Sequence, residues 1–370
     1  MISSRTRRCG LALGVALCFA TGFAFTQTLN ADEAAPQALA LTGDVRGTHD
    51  PALAKEGDRY YVFATGASRP AGQPPADRTL LPQIQIRCSA DLHQWTRCGA
   101  VFPELPAWIR ELSPKTTELW APDVSFFDGV FHLYYAFSVF GKNTSGIGLA
   151  TNVTLDSASP EYKWVDRGLV LRSGAGDDFN AIDPNLVLDA AGDPWLAFGS
   201  FWSGIKMRRL DRKTGLPSAS DKRLYSLASR GGRGAVMRDA NLPPSTEAIE
   251  APFILPHEGY FYLFVSWDLC CRGAKSTYHE RVGRSRSVTG PYVDRSGTPM
   301  MLGGGTEVLT ANDAWRGPGG ASLLHLAGRN PQELIAFHAY SAVTGAPSLQ
   351  ISTIRWKDGW PSAAVSETAP

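Results

Sequence analysis

Residues 48–66 read THDPALAKEGDRYYVFATG: an acid set against a proline, a short apolar run, a polar turn and an aromatic run. Two apolar runs joined by a turn rich in Gly and Asp signal a β-hairpin. The same order returns as APDVSFFDGVFHLYYAFS (121–138), IDPNLVLDAAGDPWLAFGS (182–200), EAPFILPHEGYFYLFVS (250–266) and, more loosely, GPGGASLLHLAGRNPQELIAFHAY (317–340). The motif prolines, Pro51, Pro122, Pro184, Pro252 and Pro318, lie roughly 60 to 70 residues apart, and a sustained period of that length marks a repeat architecture. Each unit is long enough for a four-stranded antiparallel sheet, and sheets set radially protect one another's edges. Extended stretches of 3.6-residue periodicity are absent. The expectation is an all-β chain folded as a five-bladed β-propeller. A pair of β-sandwiches would give no reason for one spacing to run through the whole chain.

The 370 residues are 44% hydrophobic and 10% aromatic, enough for a large buried core. Charges are dispersed and sum to +1, which gives no footing to a nucleic acid or other polyanion as partner. At the N-terminus Arg5, Arg7 and Arg8 precede an apolar run from Cys9 to Phe25, followed by small and polar residues. That order is a secretory signal peptide, and the run is short for a membrane span. Residues 1–31 are therefore assigned to the signal peptide and a short lead-in, and 32–370 to a single propeller domain. The mature form is expected to be exported, periplasmic or secreted, without a membrane attachment and monomeric. Cys9 and Cys18 fall in the leader, leaving Cys88, Cys98, Cys270 and Cys271 for an oxidising compartment. Cys88 and Cys98 flank a hairpin that a disulfide would close. Adjacent Cys270 and Cys271 are either a vicinal disulfide or two buried thiols, and no C-x-x-C spacing points to zinc.

In a propeller, equivalent positions of successive blades meet round one axis, so residues at the start of each unit's first strand share one mouth of the central channel. A proline pushes the residue before it towards extended backbone, and an acid there is commonly turn chemistry. The repeat tests that reading internally. The position before the proline holds Asp50, Ala121, Asp183, Ala251 (just after Glu250) and Gly317. Because Ala and Gly serve, the fold does not require an acid. Asp50, Asp183 and Glu250 are thus expected to converge from the first, third and fourth blades. Crowded carboxylates raise at least one pKa, as a general acid needs. Hydrolysis of a glycosidic bond uses one protonated and one ionised carboxyl.

Sugar sites add flat apolar faces and neutral hydrogen-bonding groups. Candidates next to the motif strands are Trp120 in LWAPD, Gly141, Asn143 and Ser145 in FGKNTSG, Asp178, Phe179, Asn180 and Ala181 in DDFNAID, and Ser200 and Trp202 in FGSFWSG. Core packing between blades competes for each tryptophan. His338 in FHAYSA is a further polar candidate near the axis, or else a core histidine satisfied by its neighbours.

From about residue 44 to 361 the chain resembles glycoside hydrolase family 43, and within it the endo-1,5-α-L-arabinanases. The resemblance is carried by HDPALAKEGDRYYVFATG, ELWAPDV, FGKNTSGIGLATN, FNAIDPNLV, FGSFWSGIK, IEAPFIL, SWDLCCRGAKSTYHERVGRS, TGPYVDRSG and FHAYSA. It implies a five-bladed propeller, arabinan or arabino-oligosaccharides as substrate, and an inverting mechanism. Asp50 would be the general base, Glu250 the general acid, and Asp183 the residue that raises the pKa of Glu250. The carboxyls of an inverting pair stand roughly 6.5 to 9.5 Å apart. The alternatives are an exo-acting family member, such as an arabinofuranosidase or β-xylosidase, and a sugar-binding propeller without catalysis. The family also implies a metal ion, usually calcium, held in the channel by the His of a Gly-His-Asn-Ser stretch in the fifth unit. Here the stretch reads RGPGGASLL, with Gly320 at the His position and Ala321 at the Asn position. Three outcomes stay open for the calcium cofactor: water takes the ligand's place, the metal is absent with activity retained, or the site is impaired. SADLHQW, with Ser89, Asp91 and Trp95, matches the Asp-box turn of sialidases. That turn is structural, and the motif strands lack a sialidase's arginine cluster.

Overall fold

The computed structural model describes residues 35–67, 77–230, 248–328 and 331–368; the leader assigned to 1–31 lies outside them. The described residues form one antiparallel sheet per repeat, in chain order. Blade one is Ala52–Glu56, Arg59–Ala67, Gln83–Ser89 and Gln94–Phe102. Blade two is Leu119–Phe127, Val130–Phe137, Gly146–Asn152 and Val165–Arg172. Blade three is Asn185–Leu188, Pro194–Phe198, Ile205–Arg209 and Tyr225–Ala228. Blade four is Ile249–His257, Tyr260–Trp267, His279–Ser285 and Thr306–Leu309. Blade five is Trp315–Leu326, Gln332–Ser341 and Pro347–Thr353. The fold is the five-bladed β-propeller that the repeat implied. Two of the inner hairpins turn on Asp128-Gly129 and Glu258-Gly259, with φ of 50° and 77°, and 45° and 74°. Positive φ at both turn residues matches the twist of the flanking strands.

Side-chain alternation gives every sheet two apolar faces. In blade one, Tyr61 and Phe63 pack with Leu133, Tyr135 and Phe137 of blade two. Val62, between them, packs with Leu334, Ala336 and Ile351 of blade five. Tyr134 of blade two turns the other way, towards Leu186, Leu196 and Phe198 of blade three. Two more cores lie between blades three and four and between four and five. Burial on both faces explains why the strands read as continuous apolar runs. Each fully buried large side chain contributes about 1.5–3 kcal/mol, so the ring is held at its interfaces and leaves its axis free for polar groups.

Blade five takes only three strands from its own repeat, where the sequence suggested four per unit. Residues before the first motif cover its outer edge. Leu39 N–H donates to the Ile351 carbonyl (2.8 Å), Thr353 N–H to that of Gln37 (2.9 Å) and Leu349 N–H to that of Val45 (2.9 Å). Thr42 and Gly43 of this segment also pair in parallel with Gln94 and Trp95 of blade one. A closed ring must tie its last blade to its first, and the start of the domain does so. Cys88 and Cys98 bridge the third and fourth strands of blade one, and Cys270 and Cys271 form a vicinal disulfide. In the Asp-box turn, Asp91 Oδ1 accepts Ser89 Oγ–H (3.0 Å) and the N–H groups of His93 and Gln94 (2.8 Å each). Trp95 is fully buried there, as a structural turn requires.

Candidate active site

The inner strands are bulged at the motif. In blade two the ladder passes from Trp120↔Ala136 to Asp123↔Tyr134, so Ala121 and Pro122 stand opposite Tyr135 alone. In blade four Ala251 and Pro252 stand between Glu250↔Ser266 and Phe253↔Phe264. Proline suits such a place because it brings no N–H that the ladder would have to satisfy. The residue before it is not extended, as its usual effect on its neighbour led us to expect. φ is 47° at Asp50, 38° at Ala121, 55° at Asp183 and 52° at Ala251. Left-handed backbone costs a non-glycine residue on the order of 1–3 kcal/mol; the bulge imposes it and re-aims the side chain.

The fifth unit reaches this geometry three residues after the point its proline suggests. One residue past the motif proline, Asp123 and Asn185 accept the N–H groups of Leu186 and Ile254 in the next blade (2.9 and 2.8 Å). The side chain that does this for Leu53 is Ser322 (2.9 Å). Gly320, with φ 60°, lies in a bulge between Gly319↔His338 and Ser322↔Ala336. Gly320 and Ala321 therefore stand where Asp50 and Pro51 stand in blade one, which corrects the alignment on Gly317 and Pro318. Asp50, Ala121, Asp183, Ala251 and Gly320 together line one cavity of 30 Å³, room for about one water.

In blades one and three the bonds from Thr65 N–H to the His49 carbonyl (3.0 Å) and from Gly199 N–H to that of Ile182 (2.9 Å), ahead of Ala52↔Phe63 and Asn185↔Ala197, leave Asp50-Pro51 and Asp183-Pro184 in the same two-against-one place. Glu250 sits one residue before the bulge of blade four. Glu250 accepts Ser200 Oγ–H on Oε2 (2.6 Å) and Tyr278 Oη–H on Oε1 (2.9 Å). Asp183 Oδ2 accepts the N–H of Ala251 (3.1 Å), the residue after Glu250. Burial pushes the Glu250 pKa up, the two hydrogen bonds pull it back, and the Asp50 charge adds to the net rise. Burial, then the charges of Glu250 and Asp50, push Asp183 well above the carboxylate range. Asp50 moves the other way: burial would raise it, but His49, His338 and Thr65 outweigh burial and hold it far below its ordinary value. An ionised carboxyl thus shares the mouth with two carboxyls that retain a proton more readily.

Among the other sequence candidates, Ser200 touches Glu250 and His338 receives the Asp50 N–H. Trp120, Asp178, Phe179 and Trp202 are half-buried and Gly141 is exposed; Trp120 immediately precedes the blade-two bulge. Asn143, Ser145, Asn180 and Ala181 are buried and serve the loop around them. Asn143 Nδ2 donates to the carbonyls of Asp177 (2.9 Å) and Phe179 (3.3 Å). Ser145 Oγ donates to Asn180 Oδ1 (2.7 Å), and Ala181 N–H to Ser173 Oγ (2.9 Å). Sequence reasoning missed His49, Thr65, Tyr278 and Tyr340. For His49 a signal existed: it precedes Asp50 as Glu250 precedes Ala251.

His49, Asp50 and His338 present ligand atoms within 4.8 Å of one another, the one group of this kind among the described residues. Their nitrogens are already engaged. Asp50 N–H donates to His338 Nδ1 (3.2 Å), and His338 Nε2 lies 3.3 Å from Tyr340 Oη. His49 Nδ1 lies 3.2 Å from Asp50 Oδ2, and its Nε2 bonds Tyr340 Oη. Calcium takes roughly six to eight oxygen ligands; this cluster offers one carboxylate, and Gly320 adds no side chain. The residues present do not fit a calcium ion.

Comparison with known proteins places these features among relatives. The sequence profile of Glycosyl hydrolases family 43 matches residues 45–361. The chain is similar to the extracellular endo-α-(1→5)-L-arabinanase 1 of Bacillus subtilis, 40% identical over 316 residues, 85% of this chain and 87% of that protein. It is equally similar to the extracellular exo-α-(1→5)-L-arabinofuranosidase of Cellvibrio japonicus, 40% identical over 323 residues, 86% of this chain and 87% of the other. The structure of Cellvibrio cellulosa α-L-arabinanase complexed with arabinohexaose superposes with a TM-score of 0.75 at 38% identity, covering 86% of this chain and 95% of that one.

Proposed function

The chain belongs to glycosyl hydrolases family 43 and is a glycoside hydrolase, and from that premise we propose that it cuts internal α-1,5 links of arabinan with inversion at the anomeric carbon. The observation that carries this reading is the opposite displacement of two carboxyls at one mouth, Asp50 downward and Glu250 upward. Hydrolysis of a glycosidic bond needs such a pair, and the family resemblance supplies inversion. Glu250 gives its proton to the glycosidic oxygen as the bond to the anomeric carbon breaks. Asp50 takes a proton from the water that attacks this carbon from the opposite face. Asp183 and Glu250 disfavour each other's ionisation, so the pair holds on to a proton, while Ser200 and Tyr278 aim the Glu250 carboxyl. Half-buried Trp120, Phe179 and Trp202 offer apolar faces for the sugar rings. The names of the relatives and the arabinohexaose complex support the substrate.

Linear arabinan incubated with wild type and with Glu250→Ala tests the assignment. The variant is expected to lose about 10² to 10⁴ in rate, the worth of a positioned acid; equal rates would sink it. The equal likeness to an exo-acting relative favours a second reading, stepwise release from a chain end. Product length separates the two, since internal cutting shortens the polymer before small sugars accumulate. The leader and the extracellular relatives also support export, which suits a chain with two disulfides.

A further inference from the structure

Resting on the reading of Asp50 as the base, we propose that His338, Tyr340 and His49 close a hydrogen-bonded ring that positions Asp50 without a channel metal and leaves Asp50 Oδ1 as the oxygen that takes the proton from water.

The direction of every bond in the ring follows from its first. A backbone N–H can only donate, so the contact from Asp50 N–H makes His338 Nδ1 the acceptor (3.2 Å) and puts the proton of the neutral ring on Nε2. Burial and the neighbouring His49 push His338 well below the ordinary imidazole range, so the neutral ring is its resting form. Its Nε2–H then donates to Tyr340 Oη (3.3 Å). Cys271 N–H donates to the same oxygen (2.9 Å) from the vicinal-disulfide loop. With both lone pairs used, the Tyr340 hydroxyl has only its proton to give, and the acceptor is His49 Nε2. His49 is left with its proton on Nδ1, which it donates to Asp50 Oδ2 (3.2 Å). The ring starts on the backbone of Asp50 and ends on its carboxylate. Stacking of the two imidazoles, with centroids 3.7 Å apart, braces it. Burial opposes and the Asp50 charge favours a second proton on His49, with the balance upward. A second proton would occupy Nε2 and break the link to Tyr340, so the closed ring belongs to neutral His49, while the Nδ1–H to Oδ2 persists in either form.

The two carboxylate oxygens are thereby made unequal. Oδ2 also accepts Thr65 Oγ1–H (2.6 Å), and Thr65 is held in turn by Ala121 N–H (2.7 Å). Oδ1 faces His338 Nδ1 at 3.6 Å, but that nitrogen's lone pair is spent on the Asp50 N–H. Oδ1 is thus the oxygen left for water. Gly320 clears its approach. A Cβ there would lie 2.8 Å from Oδ1 and 2.9 Å from His338 Nδ1. The glycine itself is anchored by its N–H on Ser266 Oγ (2.9 Å), which donates to buried Glu280 (2.7 Å). The substitution that removes the channel histidine therefore also opens the face of the base. In the chemical step Oδ1 gains the water proton as the water oxygen bonds to the anomeric carbon. The electron pair of the broken bond leaves on the glycosidic oxygen, which is protonated by Glu250. Tyr340 and His49 act through Asp50, as positioning residues.

Three measurements test the ring. Nitrogen NMR of the wild type at alkaline pH is expected to show His338 protonated on Nε2 and His49 on Nδ1; the opposite tautomers would overturn the ring whatever sugar the enzyme cuts. Tyr340→Phe, which loses only a hydroxyl, is expected to lower kcat on linear arabinan about 10²-fold, the cost of a misplaced catalytic group, with KM and melting temperature little changed. His49→Asn, whose amide can still donate to Oδ2, is expected to retain more kcat than His49→Ala. A Tyr340→Phe enzyme with wild-type kcat would refute the positioning role. Calorimetric titration of the wild type with calcium chloride alone is expected to show no saturable binding, and a saturable site would refute metal-free positioning.

Discussion

At the residue scale the site works by making chemically similar groups unlike. On the proposed mechanism, activity needs Asp50 ionised and Glu250 protonated. Asp50 is held below the ordinary carboxylate range and Glu250 is raised, so the acid limb of kcat/KM lies low and the alkaline limb high. The Tyr278 hydroxyl stabilises the Glu250 anion and so lowers its pKa. Tyr278→Phe should therefore raise the Glu250 pKa and move the alkaline limb to higher pH, with the Asp50 limb unmoved. A pH profile of kcat/KM checks this, and a downward move of the alkaline limb would contradict it. The acids were legible in the sequence because the repeat supplies its own control: Ala121 and Ala251 show that the bulge tolerates an uncharged residue. Tyr340 was not, and His49 offered only its place before Asp50, because the contact between them closes across 291 residues.

At the scale of single elements, the bulge is the unit that carries function, and the repeat pattern located it in four blades. It misled in the fifth. Pro318 imitates the motif, yet the inter-blade acceptor is Ser322 and the matching bulge is Gly320-Ala321. A proline shows that a ladder hydrogen bond is dispensable at that point; it does not show which of two successive bulges faces the axis. The outer strands of blade one present a separable element. Replacing both Cys88 and Cys98 by Ser opens a loop of about ten residues and should lower stability by about 2–3 kcal/mol, read as a reduced urea midpoint. Arabinan hydrolysis should persist, because the bridge lies on the third and fourth strands while Asp50 is set at the start of the first.

At the scale of the whole molecule, stability depends on closing the ring. Beginning the chain at Gly47 would strip the edge of Pro347–Thr353 and remove Val45 and Leu39 from the core shared by blades one and five. Loss of at least about 3 kcal/mol is expected from the buried side chains, seen as a lower melting temperature. Aggregation through the exposed strand edge should accompany it. The same length of chain in front of residue 48 would look like a dispensable linker to anyone reading pattern alone. By itself the sequence determined the architecture and the placement of three acids, because apolar period, turn residues and repeat spacing are local properties that recur in every blade. Only the tertiary structure decided which strand closes the ring, which glycine takes the place of Asp50 in blade five, and that His338, Tyr340 and His49 gather round Asp50. Those outcomes depend on hydrogen bonds between residues hundreds of positions apart, and such partners become neighbours only once the blades have packed.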